Sequence, residues 1–495
     1  MVFTGLITQL VFIRELTNSI SGLEFSLYIY IFQLVSLLNV LQIGLDYSVS
    51  RDIAIHLGSE RLQKANESFG VIRLFNNKLF FVGFLSVIII SSLFYYGYGL
   101  NGDYDYEKGS KLFLIFGFSI LINFLGSPFT VAMIGNNQQA KVNLNNTIIS
   151  LATSLFAFCI LKCTQIGIYS MPLSLVLFNA YNFYRLKKMA LLNCTRWLNP
   201  GAVKSVAFKN YKGLFQFAIY ASIGGVAWTI EATSDVFILN GLGQLSYVGI
   251  YAVWWKFPQM SFDIITRLSS SSLPIISGSI TTSKEVAHKM FNSITLLAGG
   301  MGFVALIYLS TLLPSLVSLW VGRQFLVSEF SLITYFLGCL VYGRILGNSL
   351  GNFVNISGMV SFSAKLSWLQ AIVKVVLSLY LSVDMGLKGL LIASIISSLI
   401  QVFVFSIVLL KMGVLRTNTI QTMCCGYIIS FLLLTFDFPV TNSTGNFILY
   451  SLLSLVVSVF LWLVLMFFFN KIELNNWSKY LKTRINNNAK NILRT

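Results

Sequence analysis

The sequence predicts an all-α integral membrane protein with about fourteen transmembrane helices. Three observations carry that prediction. Apolar residues make up 56% of the 495 and charged residues only 10%, where a soluble chain carries about 25% charge. The mean hydropathy is +0.77. The apolar stretches are apolar all round and lack the period-2 alternation of a membrane barrel. Helices, which satisfy every backbone group within the segment, are then the structure that lipid permits.

A crossing needs about 20 apolar residues. Fourteen stretches qualify: 3–21, 25–45, 79–100, 112–134, 146–163, 167–185, 213–240, 246–272, 291–320, 329–356, 364–385, 387–411, 420–438 and 446–470. The first is the shortest fit and holds Arg14 and Glu15. Lysine and arginine set the orientation, because cytoplasmic loops collect them. Segments after even-numbered spans, with the tail, hold 24 of the 34 basic residues, and segments after odd-numbered spans hold five. Both termini are therefore expected in the cytoplasm, and the net charge of +17 belongs to the inner membrane face. Nucleic acid is not an expected partner.

The longest outward loop, near Asn101–Lys111, is short, acidic and rich in tyrosine, which excludes a large outward catalytic domain. The longest inward linker, 187–212, is basic and contains Pro200-Gly201. It is the expected joint between a first lobe (1–186, spans one to six) and a second (213–412, spans seven to twelve). Residues 413–495 would add spans thirteen and fourteen and a basic tail. Six cysteines and two histidines form no CxxC or Cys/His cluster, so neither a metal nor another cofactor is expected. No Walker motif is present, which excludes direct use of ATP.

The two halves resemble each other. GLEFSLYIY (Gly22–Tyr30) and GQLSYVGIY (Gly243–Tyr251) each follow the first span of a half and end in Ile-Tyr. Their offset is 221 residues, which pairs Arg14 with Asp235 and Asp46 with Arg267. Repeats of six spans share one topology and are related by an axis along the membrane normal. That is the plan of a two-lobed transporter with a central cleft.

The stretch Gly22–Ala54 also resembles a pattern of bacterial polysaccharide exporters. Its positions are Gly22, Phe25, Leu41, Gly44, Leu45 and Arg51, although Asp46 follows Gly44-Leu45 where the pattern often has its acid directly after Leu41. In the second half Asp235, Leu242-Gly243 and Gly249-Ile250-Tyr251 resemble the matching segment. The family is the Wzx-type flippases of the multidrug/oligosaccharidyl-lipid/polysaccharide exporter (MOP) superfamily. The resemblance implies two six-helix, MATE-like lobes and two further helices beside a groove for a polyprenyl tail. It implies export of undecaprenyl-pyrophosphate-linked oligosaccharide, an O-antigen or capsule unit, across the bacterial inner membrane. Other polysaccharide-assembly proteins would be its partners, and no bond would be made or broken.

Ionisable residues inside spans usually face an interior or a wet cavity. An anionic cargo needs cations, and Arg14, Lys256, Arg267, Arg344 and Lys374 are the candidates. Lys374 has an alternative role, reaching the interface along its own stem. The carboxylates Asp46, Glu231, Asp235 and Asp263 are candidates for gating or for H⁺ or Na⁺ coupling. Arg14–Asp235 closing the outer side in alternation with Asp46–Arg267 closing the inner side would give alternating access. Glu231 and Asp235 lie four apart on one helix face. Sugars stack on aromatic faces, for which Tyr30, Trp228, Tyr251, Trp254 and Trp255 are candidates. The glycines of YGRILGNSLGN (Tyr342–Asn352) allow close approach of either cargo or a neighbouring helix. Two other classes stay open beside the flippase. One is a MATE-like, cation-coupled drug antiporter, which wants a net-acidic cleft. The other is a polysaccharide polymerase, which usually carries a large outward loop.

Overall fold

The computed structural model describes residues 2–97, 105–199, 212–270, 272, 276, 283–326, 330–433 and 444–470. The Pro200-Gly201 joint, the start of the acidic outward loop and the basic tail lie outside them. Among the described residues there are α-helices and short 3-10 segments and no strand. The helices are α1 (Val2–Ser19), α2 (Gly22–Ser36), α3 (Val40–Gly58), α4 (Leu62–Tyr95) and α5 (Tyr106–Gly135). Next come α6 (Gln139–Cys163), α7 (Ser170–Asn193), α8 (Lys212–Gly241), α9 (Leu245–Ser270) and α10 (Lys284–Val321). The last are α11 (Phe330–Ile356), α12 (Val360–Met385), α13 (Leu387–Lys411), α14 (Thr417–Leu433) and α15 (Thr444–Phe469). Among the described residues, eight helical stretches are long and apolar enough to cross a membrane.

The structure departs from the expected spans at two places. The stretch 25–45 is not one helix: the 3-10 segment Leu37–Asn39 divides it into α2 and α3. Ser36 donates its hydroxyl to the Gln33 carbonyl at 2.6 Å, a local bond that competes with the helix ladder. The Leu37 N–H then turns to the Leu34 carbonyl, three residues back. The second departure is α4, which begins at Leu62 rather than near 79. The basic residues Lys64, Arg73 and Lys78, read as loop, lie on the first turns of a long helix.

The helices form two compact units, Met1–Ala252 with Ser367–Ala371 and Val253–Leu366 with Ile372–Thr495. The first unit takes in α8, the first helix of the expected second lobe. Within it α3 packs against α4, α5 and α8, and α7 against α5 and α6. Leu45, Val49, Phe69, Phe129, Met133 and Trp197 form part of its core. Within the second unit α10 packs on α11 and α15, and α11 on α13. A Cβ on Gly300 of α10 would lie 2.3 Å from the Trp462 indole nitrogen of α15, so glycine lets the last helix seat closely.

Two of the prolines inside these helices, Pro128 and Pro314, have partners that replace the missing bond. Pro128 in α5 has no N–H for the Phe124 carbonyl four residues back. The buried Asn76 of α4 donates to that carbonyl at 3.1 Å. Pro314 in α10 frees the Ser310 carbonyl, which accepts from Thr334 of α11 at 3.1 Å. Removing such a donor strands a buried acceptor at about 1–3 kcal/mol. Asn76→Leu is therefore expected to lower the melting temperature of the detergent-solubilised protein, and Asn77→Leu, its neighbour on the chain, to lower it less.

Three lysines at the helix ends assigned outward are paired with acids. Lys108 donates to Glu24 at 2.7 Å, Lys111 pairs with Glu107, and Lys162 of α6 pairs with Glu15 of α1. Asp105 caps α5 by accepting the Lys108 backbone N–H at 3.0 Å, and that bond holds its carboxyl below the usual carboxylate range.

Candidate functional site

The first unit carries an open cavity of about 470 Å³ with a mixed polar and apolar lining. The helices α1, α3, α5, α6 and α7 each contribute amide, hydroxyl or carboxyl side chains to it. The break after α2 starts α3 as a separate helix, and Gln42 and Asp46, one turn apart on α3, both line the cavity. Ser127 of α5 donates to Asp46 at 2.6 Å. The amides are Gln9, Asn123, Asn146, Asn179 and Asn182 in addition to Gln42. Among the described residues, Asp46 is the one acid in the lining, and no lysine or arginine belongs to it. Sequence reasoning singled out Asp46 and missed the amides. Each span carries only one or two of them, and their joint placement becomes visible only in the fold.

The two stretches that suggested a repeat meet in the first unit. Gly249 of α9 donates its N–H to the Ser26 hydroxyl of α2 at 3.1 Å. Ser26 in turn bonds the Gly22 carbonyl at 2.9 Å. The equivalent tyrosines of the repeat both grip α8. Tyr30 packs edge-on against Phe237 with centroids 5.9 Å apart, and Tyr251 donates its hydroxyl to Asp235 at 2.7 Å. Glu231 and Asp235 are both buried, at 6% and 1% exposure, so neither lies against lipid or water. Arg14, the expected outer partner of Asp235, is exposed on α1. In this structure Asp235 has Tyr251 as a hydrogen-bond partner.

In the second unit the Arg344 guanidinium of α11 lies over the Trp255 ring of α9, 5.0 Å from its centroid. Arg344, Asn348 and Asn352 follow one another at four-residue spacing, so they share a face of α11; all three are half-buried. The glycines of this stretch serve helix packing. A Cβ on Gly343 or Gly347 would lie 2.6 Å from Ser398 or 2.4 Å from Gln401, both on α13. On α9, Lys256 and Asp263 are half-buried and Arg267 is exposed.

Burial separates the remaining candidates. Lys374 does not reach an interface: it has no exposed surface at all. Trp254 is fully buried, and its indole N–H donates to the Phe325 carbonyl at 2.7 Å, so its ring offers no face to a sugar. Tyr30 and Tyr251, at 6% and 5% exposure, are likewise occupied in gripping α8. Trp255 carries Arg344 on its ring. Trp228 is the exposed member of the aromatic set, at 57%.

No protein-family model matches the chain, and no curated protein matches it in sequence. Solved structures match its fold. The lipid II flippase MurJ in an inward closed conformation superposes with a TM-score of 0.70 at 15% identity, over 95% of this chain and 98% of MurJ. An outward-facing MATE multidrug transporter of the MOP superfamily matches at 0.60 and 14% identity, over 82% of this chain and 91% of that one. A MOP transporter from Pyrococcus furiosus, described as having a binding pocket of reverse polarity, matches at 0.56 and 12% identity, over 88% and 95%.

The chain shares its fold with these solved transporters.

Proposed function

We propose that this chain is a flippase for polyprenyl-pyrophosphate-linked oligosaccharide. It moves an O-antigen or capsule unit from the inner to the outer leaflet of a bacterial inner membrane. In this reading it works by alternating access, through fourteen spans with both termini cytoplasmic. The observation that carries the reading is the reach of the match: the flippase aligns over 95% of this chain, the MATE transporter over 82%. An apolar groove in the second unit supports it. About 440 Å³ in volume, the groove lies between α13 and α14 and is walled by Ile396, Leu399, Phe403, Ile420 and Met423. Its chemistry suits an isoprenoid tail.

Arg344 is the assigned diphosphate contact. A guanidinium offers a planar fork to phosphate oxygens while its face stacks on an aromatic ring. Arg344→Ala is expected to lower transport at least tenfold without a matching loss of folded protein. Arg344→Lys is expected to restore little, since an ammonium keeps the charge but neither fork nor stack. H⁺ or Na⁺ coupling is assigned to the carboxylates on α8.

A second reading, a cation-coupled drug antiporter, is favoured by the acids buried on α8, Glu231 and Asp235. Deletion of the gene separates the two. Loss of surface polysaccharide with build-up of lipid-linked glycan in the inner leaflet supports the flippase. Intact polysaccharide with new sensitivity to toxic cations supports the antiporter.

A further inference from the structure

We propose that the amide-lined cavity of the first unit binds a sugar residue of the cargo through its hydroxyl or acetamido groups. The inference rests on the flippase reading and names a subsite within it. A cavity of about 470 Å³ falls in the range of small-molecule sites. Its lining is unusual for a membrane protein. Burying an amide in apolar surroundings costs several kcal/mol unless its donors and acceptor are met, and five helices contribute polar groups here.

The chemistry of the lining selects among ligands. Diphosphate is disfavoured, because among the described residues the lining holds Asp46 and no basic side chain. An asparagine or glutamine amide presents a donor and an acceptor side by side. Neighbouring hydroxyls on a pyranose ring present the same pair in the opposite sense. Phe32 and Phe183 add apolar surface beside the amides, as the C–H face of a sugar requires. Some amides are already held in place: Asn182 accepts from Asn145 at 2.7 Å, and Asn179 donates to the Ser119 carbonyl at 3.0 Å. Asn123 and Asn146, on α5 and α6, bond no other side chain among the described residues, and Asn146 is exposed. Their amides are available to a ligand.

The chemistry of the cavity suits the sugar part of the cargo rather than its diphosphate. Selection among glycans would then reside in α5, α6 and α7, and the lipid carrier common to all of them would be read elsewhere.

The test uses the purified full chain in detergent or nanodiscs. Saturation-transfer NMR is recorded with a panel of methyl hexosides and methyl N-acetylhexosaminides at millimolar concentration, and Na⁺ is titrated separately against the melting temperature. The expected result is transfer to at least one glycoside, weakened tenfold or more in Asn123→Leu with Asn146→Leu and unchanged in Asn77→Leu, a change on the exposed face of α4 outside the cavity. A Na⁺-dependent rise in melting temperature that Asp46→Asn abolishes, with no glycoside signal, would overturn the inference in favour of a cation site. No response to any probe overturns it in favour of a water-filled cavity. Transport of lipid-linked glycan is measured on the same preparations. Wild-type transport that the paired leucine variant leaves unaltered sinks the subsite and spares the flippase. Absence of wild-type transport sinks the flippase reading, whatever the NMR shows.

Discussion

Gly249→Val is expected to reduce transport by tenfold or more while the protein still folds. The argument begins with space. A Cβ at 249 would lie 2.5 Å from the Ser26 hydroxyl and 3.1 Å from the Phe25 ring. Ser26 cannot simply swing aside, because its hydroxyl accepts from the Gly249 N–H and donates to the Gly22 carbonyl. Valine, stiff at its branched Cβ, must push the starts of α2 and α9 apart. Those starts follow the two loops that the sequence assigns to the outer side. In the proposed alternating-access cycle their contact would close the outward exit, and valine would hold it open. A compensating change checks the mechanism. Ser26→Gly empties the space that a methyl at 249 needs, so Ser26→Gly with Gly249→Ala should transport better than Gly249→Ala alone. Equal rates for wild type and Gly249→Val, measured in the same proteoliposomes, would show that this contact is not a gate.

The all-helical membrane architecture was legible because lipid leaves so few alternatives: a long apolar run has helix as its main solution. The segments Gly22–Tyr30 and Gly243–Tyr251, which suggested a repeat, touch through Ser26 and Gly249. What escaped the sequence is local or collective. The break at Leu37–Asn39 contains neither proline nor glycine. The Ser36 hydroxyl bonds the Gln33 carbonyl there, a local contact that hydropathy does not register. The amide cavity escaped because its residues are scattered from Gln9 to Asn182. Charges and indoles attracted attention as rare residues in spans, whereas single asparagines did not. Burial then separated residues that looked alike in sequence. Trp254 and Trp255 are neighbours, yet one is sealed against the Phe325 carbonyl and the other carries Arg344. The glycines beside Arg344 were ambiguous between cargo and helix, and Ser398 and Gln401 on α13 show that they serve packing.

Asp235→Asn and Tyr251→Phe are expected to have opposite effects on stability and different effects on transport. Asp235 is 1% exposed and accepts from Tyr251 at 2.7 Å. Asparagine keeps the size and an acceptor oxygen for that hydroxyl and removes the cost of burying charge. Asp235→Asn should therefore melt no lower than wild type. Tyr251→Phe instead takes a hydrogen bond from a buried carboxylate, worth about 1.5–3 kcal/mol when the partner is charged, and should melt several degrees lower. Transport answers the functional question. If the carboxylate serves H⁺ or Na⁺ coupling, Asp235→Asn loses the response to an imposed ion gradient, because an amide neither titrates nor balances a cation. Tyr251→Phe keeps that response, at a reduced amount of folded protein, because the acid is still there. An Asp235→Asn protein that transports and responds to the gradient like wild type would confine Asp235 to holding α8 against α9, and coupling would pass to Glu231, one turn away on the same face of α8.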